Sequence, residues 1–351
     1  MIPSALSTPL TELVGCRYPI VQTGMGWVAG PRLVSATANA GGLGVLASAT
    51  MTVEQLTEAV REVHERTDQP FGVNLRADAG DAEERVDLII RERVRVASFA
   101  LAPRPELIGR LKDAGVVVIP SVGARRHAEK VASWGADAVL VQGGEGGGHT
   151  GGVATTLLLP QVVDAVDIPV IAAGGFFDGR GLVAALAYGA AGMAMGTRFL
   201  LTSDSAVPDE VKRVYLETGD TVVTRQVDGL PHRVLRTGLV DGLERSGRGR
   251  RLLRALGSAT AFRKVSGMSW ASMLRDGVAM RRSGGLSWSQ VLMAANTPML
   301  LKSALVDGRT DAGVMASGQV AGVVDDLPSC AELIDGIVAE AEKTLGSLGR
   351  G

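Results

Sequence analysis

Ten consecutive residues, Gly143 to Gly152, hold seven glycines around one glutamate, one histidine and one threonine. Glycine loses more freedom on ordering than any other residue, so such a loop is costly as a mere turn. Backbone this bare could lie flat against a planar ring system. Gln142, Gly147 and Gly148 would make that contact, with His149 presented at the ring's edge. An imidazole takes or returns a proton near neutral pH, which makes His149 the candidate catalytic residue. His64 and His127 fall on helix-like stretches and are expected to face solvent, and His232 cannot be assigned a role.

Two further clusters, Gly174-Gly175 and Gly196-Thr197, suggest anion binding. Glycine lets backbone N–H groups approach a phosphate closely, and a helix that starts there adds partial positive charge. A tight turn is the plainer explanation for either cluster alone, but two in consecutive units favour a phosphate. The side-chain amides of Asn74 and Gln22 could hydrogen-bond the edge of a heterocycle. No metal site is expected.

These residues need a scaffold that brings them together. Short apolar runs at Pro19–Gln22, Gly44–Leu46, Phe71–Val73, Val96–Ser98, Val116–Pro120, Ala138–Val141, Pro169–Ala173 and Gly192–Met195 supply one. They alternate with amphipathic stretches such as Val53–Arg66, Glu83–Arg93, Pro105–Ala114 and Arg125–Trp134. Eight βα units predict an α/β protein, a (β/α)8 TIM barrel, with an open doubly wound sheet as the competitor. In such barrels the site forms at the C-terminal ends of the strands, and phosphate binds after the last two. The glycine clusters and Asn74 fall at those ends, as does Gly24-Met25-Gly26 after the first strand. Residues 1–204 and 301–351 are assigned to the barrel, and 205–300 to a small, mostly helical insertion or lid after strand eight.

Composition narrows the function classes. Aromatics are 4% against 46 glycines in 351 residues, which suits a barrel of small side chains with many tight turns. A net charge of −1 argues against coating nucleic acid or an anionic membrane. Two cysteines exclude a disulfide framework or a cysteine-rich metal centre. No secretory signal or membrane-length apolar run is visible, so a soluble cytoplasmic protein is expected. From Arg245 to Arg282 there are ten basic residues and one acid, Asp276. That stretch is either a solvated helical face or a grip for a polyanionic substrate handle such as the phosphates of coenzyme A.

The segments PIVQTGMGW (19–27), ANAGGLGVL (38–46), PFGVN (70–74), GGEGGGHTG (143–151), PVIAAGGFFDGRG (169–181), GAAGMAMGTRFL (189–200) and ASGQVAGVVDD (316–326) resemble the nitronate monooxygenase family, formerly the 2-nitropropane dioxygenases. That family includes flavin-dependent enoyl-thioester reductases. The resemblance implies FMN, with Gly24, Met25, Gly26 and Asn74 by the flavin ring. Gly174, Gly175, Gly196 and Thr197 would hold its phosphate, Gly318-Gln319 would close over it, and His149 would be the base. Gly146-Gly147-Gly148 departs from the family's frequent small residue, such as Ala, in this stretch, which could reshape the pocket above the flavin. Stretches 141–160, 196–224 and 287–302 look like an actinobacterial branch linked to steroid ring C and D degradation. That likeness implies an indene-carboxyl-CoA thioester as substrate.

Nitroalkanes and thioesters share an acidic α C–H, so one imidazole would serve either substrate. The electron partner stays open between a nicotinamide nucleotide, oxygen and another protein, as does homo-oligomer formation. Three rivals are weaker. An inosinate-dehydrogenase-like barrel needs a cysteine at a strand end, where neither Cys16 nor Cys330 falls, and a Schiff-base aldolase needs a lysine there. A non-catalytic flavin-binding sensor would have little use for His149.

Overall fold

The computed structural model describes residues 6–245, 274–275, 278 and 296–349. Most of the basic stretch Arg245–Arg282, with its helical reading, lies outside the described residues.

Eight parallel strands close into a barrel in the order β1 (Ile20–Gln22), β2 (Leu43–Ala47), β3 (Phe71–Arg76), β4 (Val96–Ala100), β5 (Val117–Val122), β6 (Val139–Gln142), β8 (Val170–Ala173) and β9 (Gly192–Met195). Each lies on one of the eight predicted runs. β9 pairs back with β1 through Val21 and Ala194, so the ring has no open edge and the doubly wound alternative is excluded. Between β6 and β8 the chain makes β7 (Gly148–His149), which stands outside the ring.

Alternation along the strands sorts their side chains into two layers. Val21, Val45, Val96, Ile119, Leu140 and Ile171 pack together inside the ring, where Leu10 and Val14 of the first helix also pack. Ile20, Val139, Val141, Met193 and Met195 point outward to the helices. Those helices form for local reasons. Val53–Arg66 opens on a reciprocal cap between Thr52 and Gln55 and buries Leu56, Ala59, Val60 and Val63, one face at helical spacing. Each such apolar side chain contributes about 1.5–3 kcal/mol when fully buried.

After β9 the chain makes a helix, Asp209–Thr218, and then a hairpin of β10 (Thr221–Thr224) and β11 (His232–Leu235). β11 pairs on its other side with β7, giving a three-stranded antiparallel sheet in the order β10-β11-β7. Val227, Val234, Val240, Leu243 and Val314 form a small core under it. The 205–300 stretch thus contains strands as well as helices, and one of them grips the glycine loop. The chain returns as the helix Asn296–Leu305. It then runs beside β11, where Leu235 N–H donates to the Met315 carbonyl at 2.9 Å. No helix among the described residues is long and apolar enough to cross a membrane.

Candidate active site

Continuing the inward alternation past the apolar layers places Thr23, Ala47, Asn74, Ser98, Ser121, Gln142 and Gly196 at the C-terminal rim. This rim is neutral and polar. Asn74 Nδ2 donates to Ser98 Oγ at 3.2 Å, and Ser48 Oγ donates to the Asn74 carbonyl at 2.7 Å. Gln22 falls on the other face. It shares the outward side of β1 with Ile20, is fully buried, and its amide donates to the Val45 and Thr23 carbonyls. A one-residue step along a strand reverses the face, so the predicted partner of a heterocycle points away from the rim.

The glycines let the rim loops touch. A Cβ at Gly24 would stand 2.5 Å from Asn74 Cβ, and one at Gly196 only 3.3 Å from Thr23 Oγ1 and 3.4 Å from Met25 Sδ. A Cβ at Gly26 would meet the Thr50 methyl at 3.6 Å, an ordinary contact. Thr197 Oγ1 accepts from Gly318 N–H at 2.9 Å, and Gln319 N–H donates to the Glu145 carbonyl at 3.0 Å. Gly147 is pressed against that turn, where a Cβ would come within 2.6 Å of Gly318 N. Gly174 and Gly175 take φ of +97° and +84°, in the left-handed region that favours glycine. The structure therefore joins Gly24, Met25 and Asn74 to Gly196, and Thr197 to Gly318 and Gly147, around one end of the barrel. Glu145 serves the scaffold. Its carboxylate accepts from Thr155 N–H at 3.0 Å and Thr155 Oγ1 at 2.7 Å, capping the helix Thr155–Val163.

His149 is held from two sides. Gln142 Nε2 donates to its carbonyl at 2.9 Å, and β7 pairs it with His232 across the sheet. Gly148, at φ +73°, makes the bend. The imidazole is 54% exposed, yet its Nε2 lies 2.6 Å from Oδ2 of Asp228, a carboxylate only 4% exposed. Thr297 Oγ1 donates to the same oxygen at 2.7 Å, and Leu230 N–H donates to Oδ1 at 3.0 Å. Burial alone would raise the Asp228 pKa, but hydrogen bonds and nearby imidazoles outweigh it and hold the group well below the usual carboxylate range.

His232 completes the group. Its ring lies 4.7 Å from that of His149, tilted at 52°. Its Nδ1 is 3.8 Å from Asp228 Oδ2, beyond hydrogen-bond reach, and among the described residues neither ring nitrogen has a hydrogen-bond partner. Burial is the leading cause of a lowered His232 pKa, only partly offset by Asp228. The three residues offer ligand atoms within 4.8 Å of one another. The direct contact between His149 and Asp228 makes a hydrogen-bonded pair of them. Asp228 and Thr297 had no place in the sequence reading, and His232 was left without a role. The available signal was the hairpin itself, with β-branched TVVT and HRVL around an Asp-Gly turn.

A cleft of about 780 Å3 lies on the opposite face of the three-stranded sheet, lined by Glu145, Arg225, Arg233, Glu244 and Gln319 among others. Arg233 neighbours His232 on β11 and so points the other way. This volume is behind the loop that carries His149, away from the imidazole.

A model of the nitronate monooxygenase family matches residues 7–86 and 79–340. This chain belongs to that family. It is 67% identical over 348 residues, 99% of each chain, to the (3aS,4S,5R,7aS)-5-hydroxy-7a-methyl-1-oxo-octahydro-1H-indene-4-carboxyl-CoA dehydrogenase of Rhodococcus jostii. It is 70% identical over 341 residues, 96% of each chain, to the enzyme of the same description from Mycobacterium tuberculosis. Among solved structures, FabK from Thermotoga maritima superposes with a TM-score of 0.78 at 34% identity, over 97% of this chain and 98% of that one. Family membership makes the chain an oxidoreductase.

Proposed function

We propose that this protein is an FMN-dependent dehydrogenase that introduces a C=C bond beside the thioester of a bulky bicyclic acyl-CoA, with His149 as the base. The end-to-end likeness to two indene-carboxyl-CoA dehydrogenases carries this reading. An exposed imidazole backed by a buried carboxylate supports it.

The rim suits a flavin. Asn74, Ser98, Ser121 and Gln142 offer uncharged donors and acceptors, as the polar edge of a neutral heterocycle requires. Positive φ at Gly174 and Gly175, and the tight space at Gly196, make a cradle that side chains would fill. In this reading Gly174, Gly175, Gly196 and Thr197 hold the phosphate, with Gly318 tied to Thr197. Gly24, Met25, Asn74, Gln142, Gly147 and Gly148 take the ring, and Gln22 is left out. The described residues of 205–300 bring Asp228, His232 and Thr297 to His149. Two buried free cysteines suit a cytoplasmic setting.

The carbon bearing the thioester carries a weakly acidic proton, because the carbanion left behind delocalises onto the carbonyl oxygen. His149 takes that proton at a ring nitrogen. When bound, FMN would supply the two-electron acceptor for the hydrogen lost from the β-carbon. Both C–H bonds are then broken and one C=C bond is formed. The 54% exposure of the imidazole lets the proton pass on to solvent. The reverse sequence, with His149 as acid, would reduce the same bond. Reoxidation by oxygen or a nicotinamide nucleotide is compatible with the same site.

Family membership favours a second reading, nitronate oxidation, because a nitroalkane opens with the same proton transfer. Anaerobic titration of the purified protein separates the two. Bleaching of the flavin absorbance by the saturated bicyclic CoA thioester, and not by an alkyl nitronate, is the expected result. Bleaching by the nitronate alone would return the protein to the monooxygenases. Absence of any bound or acquired FMN would refute both.

A further inference from the structure

We propose that Asp228 is a positioning residue for His149, holding the imidazole as its Nε2–H tautomer so that Nδ1 is the nitrogen that takes the substrate proton. The inference rests on reading His149 as the base, and it names the atom and the residue that sets it.

An ionised carboxylate has only acceptor sites, so a nitrogen 2.6 Å from Oδ2 must present a proton to it. Neutral imidazole carries one N–H. With that proton on Nε2, the lone pair is on Nδ1.

Asp228 is poorly placed to turn aside. Leu230 N–H occupies Oδ1 at 3.0 Å, Thr297 Oγ1 shares Oδ2 at 2.7 Å, and the side chain is 4% exposed. A hydroxyl donor and a backbone donor on a buried carboxylate are the arrangement expected of a charge kept in place for a third partner. Both donors, like Asp228 itself, come from the 205–300 stretch. The insertion therefore builds the orienting group, while a barrel loop carries His149.

His232 keeps the pair exclusive. It is the other titratable group facing Asp228 among the described residues, it is 2% exposed, and its Nδ1 stops 3.8 Å short. Buried and without a hydrogen-bond partner on either nitrogen among the described residues, it packs against the His149 ring at 4.7 Å, and burial disfavours its charged form. Proton transfer then balances simply. The α-carbon loses a proton to His149 Nδ1, the imidazolium keeps Nε2–H on Asp228, and Asp228 itself never takes a proton. The positive charge forms beside a negative one that is already in place.

The tautomer can be read directly in the folded protein. With imidazole-15N-labelled histidine, and a His149→Gln sample to assign the resonances, Nε2 of His149 should show the bonded proton and Nδ1 the lone pair at a pH where the ring is neutral. Asp228→Asn should slow anaerobic flavin reduction by the thioester about a hundredfold or more and alter its pH profile, with FMN affinity unchanged. Asp228→Glu, which keeps the charge, should recover part of that rate. A proton found on Nδ1 in the wild-type protein would overturn the proposal, and so would a wild-type rate and pH profile in Asp228→Asn. His149→Ala, run alongside, tells two failures apart. Full reduction there removes the base itself, whereas loss there beside an unaffected Asp228→Asn removes only the positioning role.

Discussion

The barrel rim and the three-stranded sheet come together at the loop that carries His149, yet they hold their residues by different means. Asn74 and Gln142 stand on strands paired on both sides within a closed ring. His149 stands on a two-residue strand with one neighbour, β11. Its side-chain partner is 79 residues away in sequence. The rim is preorganised by the core beneath it, while the His149 imidazole depends on an element that must dock. Cofactor binding and proton transfer should therefore be separable by mutation. Changes at the rim should weaken FMN binding, and changes on the sheet should alter proton transfer or the stability of the docked sheet with FMN still bound.

On the rim side of this comparison, the effect expected is on cofactor affinity. Gly174→Val puts a side chain where φ is +97° and a Cβ already meets Thr155 Oγ1 at 3.1 Å and the Gly143 carbonyl at 3.2 Å. Backbone strain of this kind costs about 1–3 kcal/mol, so FMN affinity measured by fluorescence titration should fall roughly tenfold to a hundredfold. The fraction that still binds FMN should be reduced by the thioester at close to the normal rate. A variant that keeps its affinity and loses its rate would reverse the division between the two regions.

A smaller effect concerns the sheet and acid. Burial lowers the His232 pKa below its ordinary value of 6.5, so the unfolded chain binds a proton there that the folded chain refuses. The stability that follows from this is complete above about pH 6.5 and is lost as pH falls below it. Melting temperature should decline over that range, and His232→Phe, which fills the same space without titrating, should flatten the decline. Asp228, whose pKa is also lowered, adds a further loss only at more acid pH, below the ordinary carboxylate value of 3.8. An unchanged pH dependence in His232→Phe would mean that this histidine does not set the acid limb.

How much of this was legible before the structure depends on distance along the chain. Phe71–Val73 and Pro169–Ala173 are short apolar runs bounded by turn residues, and local pattern alone marks them as buried strands. Once eight such runs close a ring, residues at their ends share one rim, which is why Asn74, Gln142, Gly175 and Thr197 could be read together. Gln22 does not share that rim, because the strand's alternation puts it on the outward face with Ile20, one step from the inward Thr23. Asp228 was not legible for another reason. Its importance comes from pairing β7 with β11, a contact that no local periodicity encodes, and the strands TVVT and HRVL are only four residues each. The Asp-Gly turn between them was the one available clue, and it marks a hairpin without saying what the hairpin will dock against.

The most direct test of the central claim is stopped-flow reduction of the flavin by the bicyclic CoA thioester, without oxygen, in wild-type protein and His149→Ala. The expected result is a variant that binds FMN and stays yellow, with reduction slower by about a hundredfold to ten-thousandfold. A variant that bleaches at the wild-type rate would contradict it, and the base would have to be sought elsewhere on the rim.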